Sequence, residues 1–212
     1  MGLPIAHAAA GYLVHRAARR SVEGGRPSIG GNRRSTDGWR RAAVFMFLGN
    51  LPDMDFLVGF VIGFPGMLHR GFSHTVLAAV AFGVAAGAFV RWRWGERFGP
   101  AACAFGAVYL SHLVLDYFTI DTRPPAGGQF LWPFSSEYFI APVTFFEEIY
   151  IDGRTRAAFL STVLAWPTVV VLAREIVIAV VAVGTWHVVE GWRGRPGPER
   201  LLALDRGEED LA

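Results

Sequence analysis

Five predominantly apolar runs, each broken or bordered by a few ionisable side chains, restrict this chain more than any other feature. They cover residues 3–18, 42–64, 73–90, 100–119 and 158–190, and about 20 such residues cross the hydrocarbon of a bilayer. The composition agrees: 52% of residues are hydrophobic and mean hydropathy is +0.34, above the usual soluble range. With 212 residues, the expected fold is all-α, a polytopic membrane bundle of about four to six hydrophobic helices. It forms one domain over 1–192, followed by a charged, disordered tail over 193–212.

The first run, LPIAHAAAGYLVHRAA, is short for an upright crossing, at roughly 24 Å if fully helical. The Gly-, Ser- and Arg-rich stretch 19–41 that follows cannot build a core and reads as a flexible loop. In the second run, Asn50 and Pro52-Asp53-Met54-Asp55 interrupt the apolar sequence. Proline removes a backbone hydrogen bond and bends the axis there. Ser73 is the expected N-cap of the third helix. Residues 158–190 would measure roughly 50 Å as one helix, so they form either one helix bent at Pro167 or two shorter ones.

All 20 basic residues are arginines. They crowd 16–41, 91–97 and, more sparsely, 193–206, which by the positive-inside rule places those segments in the cytoplasm. Residues 63–72 and 120–157 then face outward. Juxtamembrane arginine of this kind meets anionic lipid, so membrane lipids are the expected partners and nucleic acid is not. No secretory leader is expected, because the arginines follow the first apolar run. The single cysteine, Cys103, lies in an apolar run and is read as a packed small hydrophobe.

On this topology, His69, Arg70 and His74 lie at the outer face, Asp116 lies at the outer end of the fourth run, and His7 lies at that of the first if it spans. The pair Asp53 and Asp55, and His112, are read as gathered with them into one site. Ionisable side chains inside membrane segments are costly and commonly functional. His112 and Asp116 are four apart and share a helix face, and imidazole with carboxylate suits zinc, manganese or iron. The same pair equally suits a local hydrogen bond sealing a buried polar group. Asp53 and Asp55, two apart, cannot share a face of a regular helix. Either a turn at Pro52 presents both, or one alone binds. His15 and His187 lie towards the arginine-rich side and read as structural.

In combination, His7, LPDMD at 51–55, HRGFSHT at 69–75, SHLVLDYFT at 111–119 and WPF at 132–134 resemble the membrane-bound metal-dependent hydrolase family. That family is also described as YdjM-like or LexA-binding inner-membrane hydrolases. The resemblance covers roughly residues 3–140 and implies a multi-pass protein of the bacterial inner membrane with metal-dependent hydrolase activity. A looser similarity to zinc-dependent phospholipase C concerns chemistry alone.

The expected ligands of a divalent metal are His7, Asp53, His69, His74, His112 and Asp116, with zinc first and manganese or magnesium as alternatives. These exceed one tetrahedral shell, so either two ions bind or some of the residues orient the others. Hydrolysis would use a metal-activated water, with Asp55 as general base and Arg70 clamping an anionic group. A phosphoester of a lipid or lipid-linked small molecule is the expected substrate. Two rival classes share these residues. One is a non-enzymatic membrane binding or regulatory protein with a structural metal. The other is an ion-relaying transporter, which should carry paired internal repeats that this sequence lacks.

Overall fold

The structure, a computed structural model, describes residues 4–23, 36–63, 71–121, 126–147, 152 and 154–193. The apolar runs become helices and their polar interruptions become the joints between them. Seven α-helices lie among the described residues: α1 (Pro4–Glu23), α2 (Thr36–Leu48), α3 (Asp55–Ile62), α4 (Val76–Trp94), α5 (Phe98–Tyr117), α6 (Arg156–Val163) and α7 (Trp166–Arg193). Short 3-10 turns at Pro52–Met54 and Phe72–His74 precede α3 and α4. The fold is all-α, as expected. Helices α4, α5 and α7 are long and apolar enough to cross a membrane, and α2 with α3, bent by 60° at Pro52, makes a fourth if counted as one span.

Several boundaries differ from expectation, each for a local reason. The stretch 19–41 is helical at both ends, because α1 continues to Glu23 and α2 starts at Thr36; residues 24–35 lie outside the described residues. Ser73 does not cap α4. Thr75 does, accepting a bond from Ala78 N at 3.0 Å, which leaves the Ser73 hydroxyl for another partner. The last apolar run is two helices, broken at Leu164–Ala165. Pro167 is the second residue of α7, a position where a missing N–H removes no helical bond. The tail from 194 onward lies outside the described residues.

Small residues set the closest packing. Helices α4 and α5 run antiparallel, and a Cβ at Gly83 or Gly87 would come within 2.7–2.8 Å of Ala102 atoms. Such small-on-small contact substitutes for the hydrophobic drive that lipid removes. Helices α1 and α2 approach more closely still: a Cβ at Gly11 would meet Phe45 O at 2.2 Å, and one at Gly49 would meet His7 O at 2.3 Å. Helix α7 runs parallel to α1. Glu175 reaches Ile5 and Ala6, Tyr12 meets His187, and Arg16 pairs with Glu190.

These pairings give the bundle two unlike ends. One carries the start of α1, the α2–α3 joint, the turn before α4 and the last turns of α5. The other carries Arg16, Arg19, Arg40, Arg41, Arg91, Arg93, Arg97 and Arg193, with Arg41 and Glu96 3.9 Å apart. Over the first end folds the segment 126–147, tied by Val76 N to Phe130 O (2.8 Å), Ala141 N to Tyr117 O (2.9 Å) and Ile120 N to Phe146 O (3.0 Å).

Candidate metal centre

Four segments deliver polar side chains to the covered end of the bundle. Helix α5 contributes His112 and Asp116 from one face. The 3-10 turn at Pro52–Met54 contributes Asp53, and the first residue of α3 is Asp55. The turn before α4 contributes His74, held in place by the Tyr109 hydroxyl, which donates to Ser73 O at 2.7 Å. Helix α1 contributes His7. The three histidines are at most 1% exposed, so the protein's own groups and not water decide where their hydrogens sit.

Those partners assign the hydrogens. His112 Nδ1 lies 2.8 Å from Gly49 O, and a carbonyl only accepts, so Nδ1 carries the hydrogen and Nε2 the lone pair. On His74, Ser73 Oγ donates to Asp55 Oδ2 at 2.9 Å. The His74 Nδ1 hydrogen then faces Ser73 Oγ at 3.0 Å and Asp55 Oδ2 at 3.4 Å. Its Nε2 is likewise left as an acceptor. Both histidines thus follow the arrangement of metal-ligating imidazole, in which the remote N–H is held by a carbonyl or a carboxylate.

The two Nε2 atoms face each other at 3.3 Å. Asp53 Oδ1 lies 3.3 Å from His74 Nε2 and 3.5 Å from His112 Nε2. Asp116 Oδ2 lies 3.3 Å from His112 Nε2 and 3.6 Å from His74 Nε2. Four acceptor atoms therefore converge, which only a cation or added protons reconcile. A tetrahedral ion with bonds of about 2.0–2.1 Å holds its ligand atoms roughly 3.3–3.4 Å apart, so the distances about the two Nε2 atoms and the donor set both suit a divalent metal. Without the ion a proton takes its place. Burial pulls the pKa of His74 down, but its bonds to Asp53 and Asp55 and the charge of Asp116 outweigh this and raise it above the ordinary value.

Among the described residues, two groups could hold an ion: Asp53, His74 and His112, and His7, His112 and Asp116. The structure therefore brings together five of the six expected ligands, His7, Asp53, His74, His112 and Asp116. The sixth, His69, and Arg70, the expected anion clamp, lie outside the described residues. The alternatives for Asp53 and Asp55 resolve: one imidazole separates the two carboxylates, with Asp53 at Nε2 and Asp55 behind Nδ1.

Other participants were not evident in the sequence. Gly49 acts through its carbonyl and has no side chain to signal it. Ser73 has a conspicuous position but reads as a helix cap. Glu175, 2% exposed in the middle of α7, accepts from Ile5 N at 3.1 Å and Ala6 N at 3.3 Å, placing a carboxylate at the positive end of α1. A carboxylate in the run 158–190 is the signal that could have found it. His15 and His187 are outside the cluster, as expected; His15 packs on Phe45 and His187 meets Tyr12.

Comparison with known proteins places the whole bundle: residues 2–193 match a family described as YdjM inner membrane protein. No curated protein and no solved structure matches the chain.

Proposed function

We propose, from the premise that the chain belongs to the YdjM inner membrane protein family, that it is a membrane-bound, metal-dependent hydrolase. Asp53, His74, His112 and Asp116 hold its divalent ion. One observation carries this reading: two facing Nε2 atoms are each approached by a carboxylate oxygen of Asp53 and of Asp116 at 3.3–3.6 Å, while the hydrogens of both imidazoles are committed elsewhere. Two nitrogens and two oxygens favour zinc over magnesium, which prefers six oxygens.

A divalent ion held there supplies Lewis-acid polarisation and activates water near neutral pH. The chain's own residues supply the rest. Asp55 and Ser73 orient His74, which takes Asp55 out of the general-base role that its spacing suggests. The Gly49 carbonyl orients His112. Segment 126–147 limits water at this end of the bundle and turns exposed Leu131, Trp132, Phe134 and Phe145 outward beside the ends of the spans. Aromatic side chains at that level sit in the lipid interface. This supports a substrate already in the membrane, a phosphoester of a lipid or lipid-linked molecule. The site lies at the end away from the clustered arginines, which supports an outward-facing centre.

The test is purified protein in detergent or nanodiscs, loaded with zinc or manganese and assayed against lipid and soluble phosphoesters. Wild type should retain metal and turn over a lipid phosphoester, and His74→Ala should lose both. Retained metal without turnover on any ester would favour a non-enzymatic metal-binding protein. Absence of bound metal from wild type would remove the basis of the proposal.

A further inference from the structure

Among the residues gathered at the centre, His7 is the one whose hydrogen-bonding contradicts ligation. We infer that His7 turns an N–H towards Asp116 and positions that carboxylate, and is not a ligand of the metal; this rests on the metal reading above. His112 Nδ1 carries its hydrogen, because Gly49 O at 2.8 Å can only accept it. His7 Nδ1 lies 2.9 Å from that same nitrogen. Two N–H groups cannot face each other at that distance, so His7 Nδ1 is an acceptor sharing the His112 hydrogen in a three-centre bond. The hydrogen of neutral His7 is then on Nε2. An imidazole nitrogen bearing hydrogen has no lone pair for a metal, so His112 and His7 cannot both ligate through Nε2 while the contact between their Nδ1 atoms persists.

The placement of Nε2 completes the argument. It is buried, makes no hydrogen bond among the described residues, and faces Asp116 Oδ1 at 3.5 Å, an N–H to carboxylate contact slightly longer than a hydrogen bond. Asp116 presents its other oxygen, Oδ2, to His74 and His112. One carboxylate is thus addressed on both sides, by the centre through Oδ2 and by His7 through Oδ1. Orienting a ligating carboxylate in this way is what outer hydrogen-bond partners of metal sites do. Helix α1 is built to keep His7 there. Glu175 holds the N–H groups of the two preceding residues, and the Gly49 contact leaves no room for α1 to move towards α2.

The experiment compares wild type, His7→Gln, His7→Ala and His74→Gln as monodisperse detergent-solubilised proteins. Zinc content is measured after dialysis, zinc affinity by chelator competition, and the visible spectrum after cobalt(II) loading. Glutamine places an N–H donor where imidazole Nε2–H stood. His7→Gln should keep wild-type zinc content, affinity within about three-fold and an unchanged cobalt spectrum. His7→Ala should keep the stoichiometry but bind zinc about 10–100-fold more weakly, the usual loss for an outer partner. His74→Gln should lose the metal. The inference is overturned if His7→Gln loses zinc as His74→Gln does, which makes His7 a ligand, or if His7→Ala matches wild type in affinity and spectrum. Wild type without zinc would overturn the function and the inference together.

Discussion

Two helix pairs in this bundle meet at close range through glycine, and they use that closeness differently. Between α4 and α5, Gly83 and Gly87 lie against Ala102 and Gly106, and the nearest atoms are backbone and the Ala102 Cβ. Between α1 and α2, Gly11 and Gly49 make a contact that is tighter still. There, however, the closeness delivers a carbonyl to His112 and brings His7 alongside it. The first pair stabilises a span; the second orders a polar centre that lipid would not tolerate exposed. One packing device can therefore serve stability alone or the geometry of a site. At the α1–α2 contact the use is set by a third helix, α5, which presents His112 at that level.

Alanine at the two glycines should separate these uses most sharply. In Gly49→Ala the new Cβ would lie 2.3 Å from His7 O, so α1 and α2 must part and the His112 anchor must move with them. We expect zinc affinity to fall by about 100-fold, the upper end of losses from disturbed outer partners. In Gly87→Ala the clash is with Ala102, the nearest atoms lying at 2.8–2.9 Å. Overpacking of this kind costs about 1–3 kcal/mol of stability, while zinc affinity of the folded protein stays at the wild-type value. Chelator competition and thermal melts in the same detergent check both, and equal loss of affinity in the two variants would break the distinction.

A smaller effect is expected behind His74. Asp55→Asn keeps the size of the side chain but removes the charge facing Nδ1, so zinc affinity should drop about ten-fold with the stoichiometry kept. Complete loss of metal would instead make Asp55 a ligand.

The smallest signal is a proton. The pKa of His74 is raised in the metal-free fold, by Asp53, Asp55 and Asp116 against the opposing effect of burial. Its protonation therefore stabilises that fold fully below the ordinary histidine pKa of about 6.5. This contribution is lost as pH rises through the raised value. Zinc needs the Nε2 lone pair, so uptake should release part of a proton per ion and weaken as pH falls. Calorimetry in two buffers of different ionisation enthalpy reads that release, and identical heats would remove His74 Nε2 from the ligand set. The contact of Gly83 and Gly87 with Ala102 and Gly106, made by residues that do not titrate, should show no such dependence.

Much of the centre was legible because lipid leaves few innocuous uses for charge. Asp53, His74, His112 and Asp116 stand out in apolar runs where an unpaired charge costs several kcal/mol, on the order of that for any desolvated ion. The spacing of His112 and Asp116 dictates a shared face on any helix. Pro52 dictates an interruption between α2 and α3. The helices themselves, and the exclusion of a soluble fold, follow from the length of the apolar runs. These are properties of short stretches of chain, which is why the sequence alone determines them.

What required the tertiary structure is every role that passes between segments. Ser73 is equally good as a cap or as a donor to Asp55. Thr75 took the cap because its hydroxyl, two residues later, meets Ala78 N. Asp55 reads as a general base until His74 is seen to come between it and Asp53. Gly49 has no side chain, so its carbonyl becomes visible only when α5 carries His112 to within 2.8 Å. His7 has the composition of a ligand, yet which ring nitrogen holds its hydrogen was decided by a neighbour 105 residues away. A sequence states which atoms can donate or accept. Only packing decides which of them meet, because donor direction is set by the partner and not by the residue.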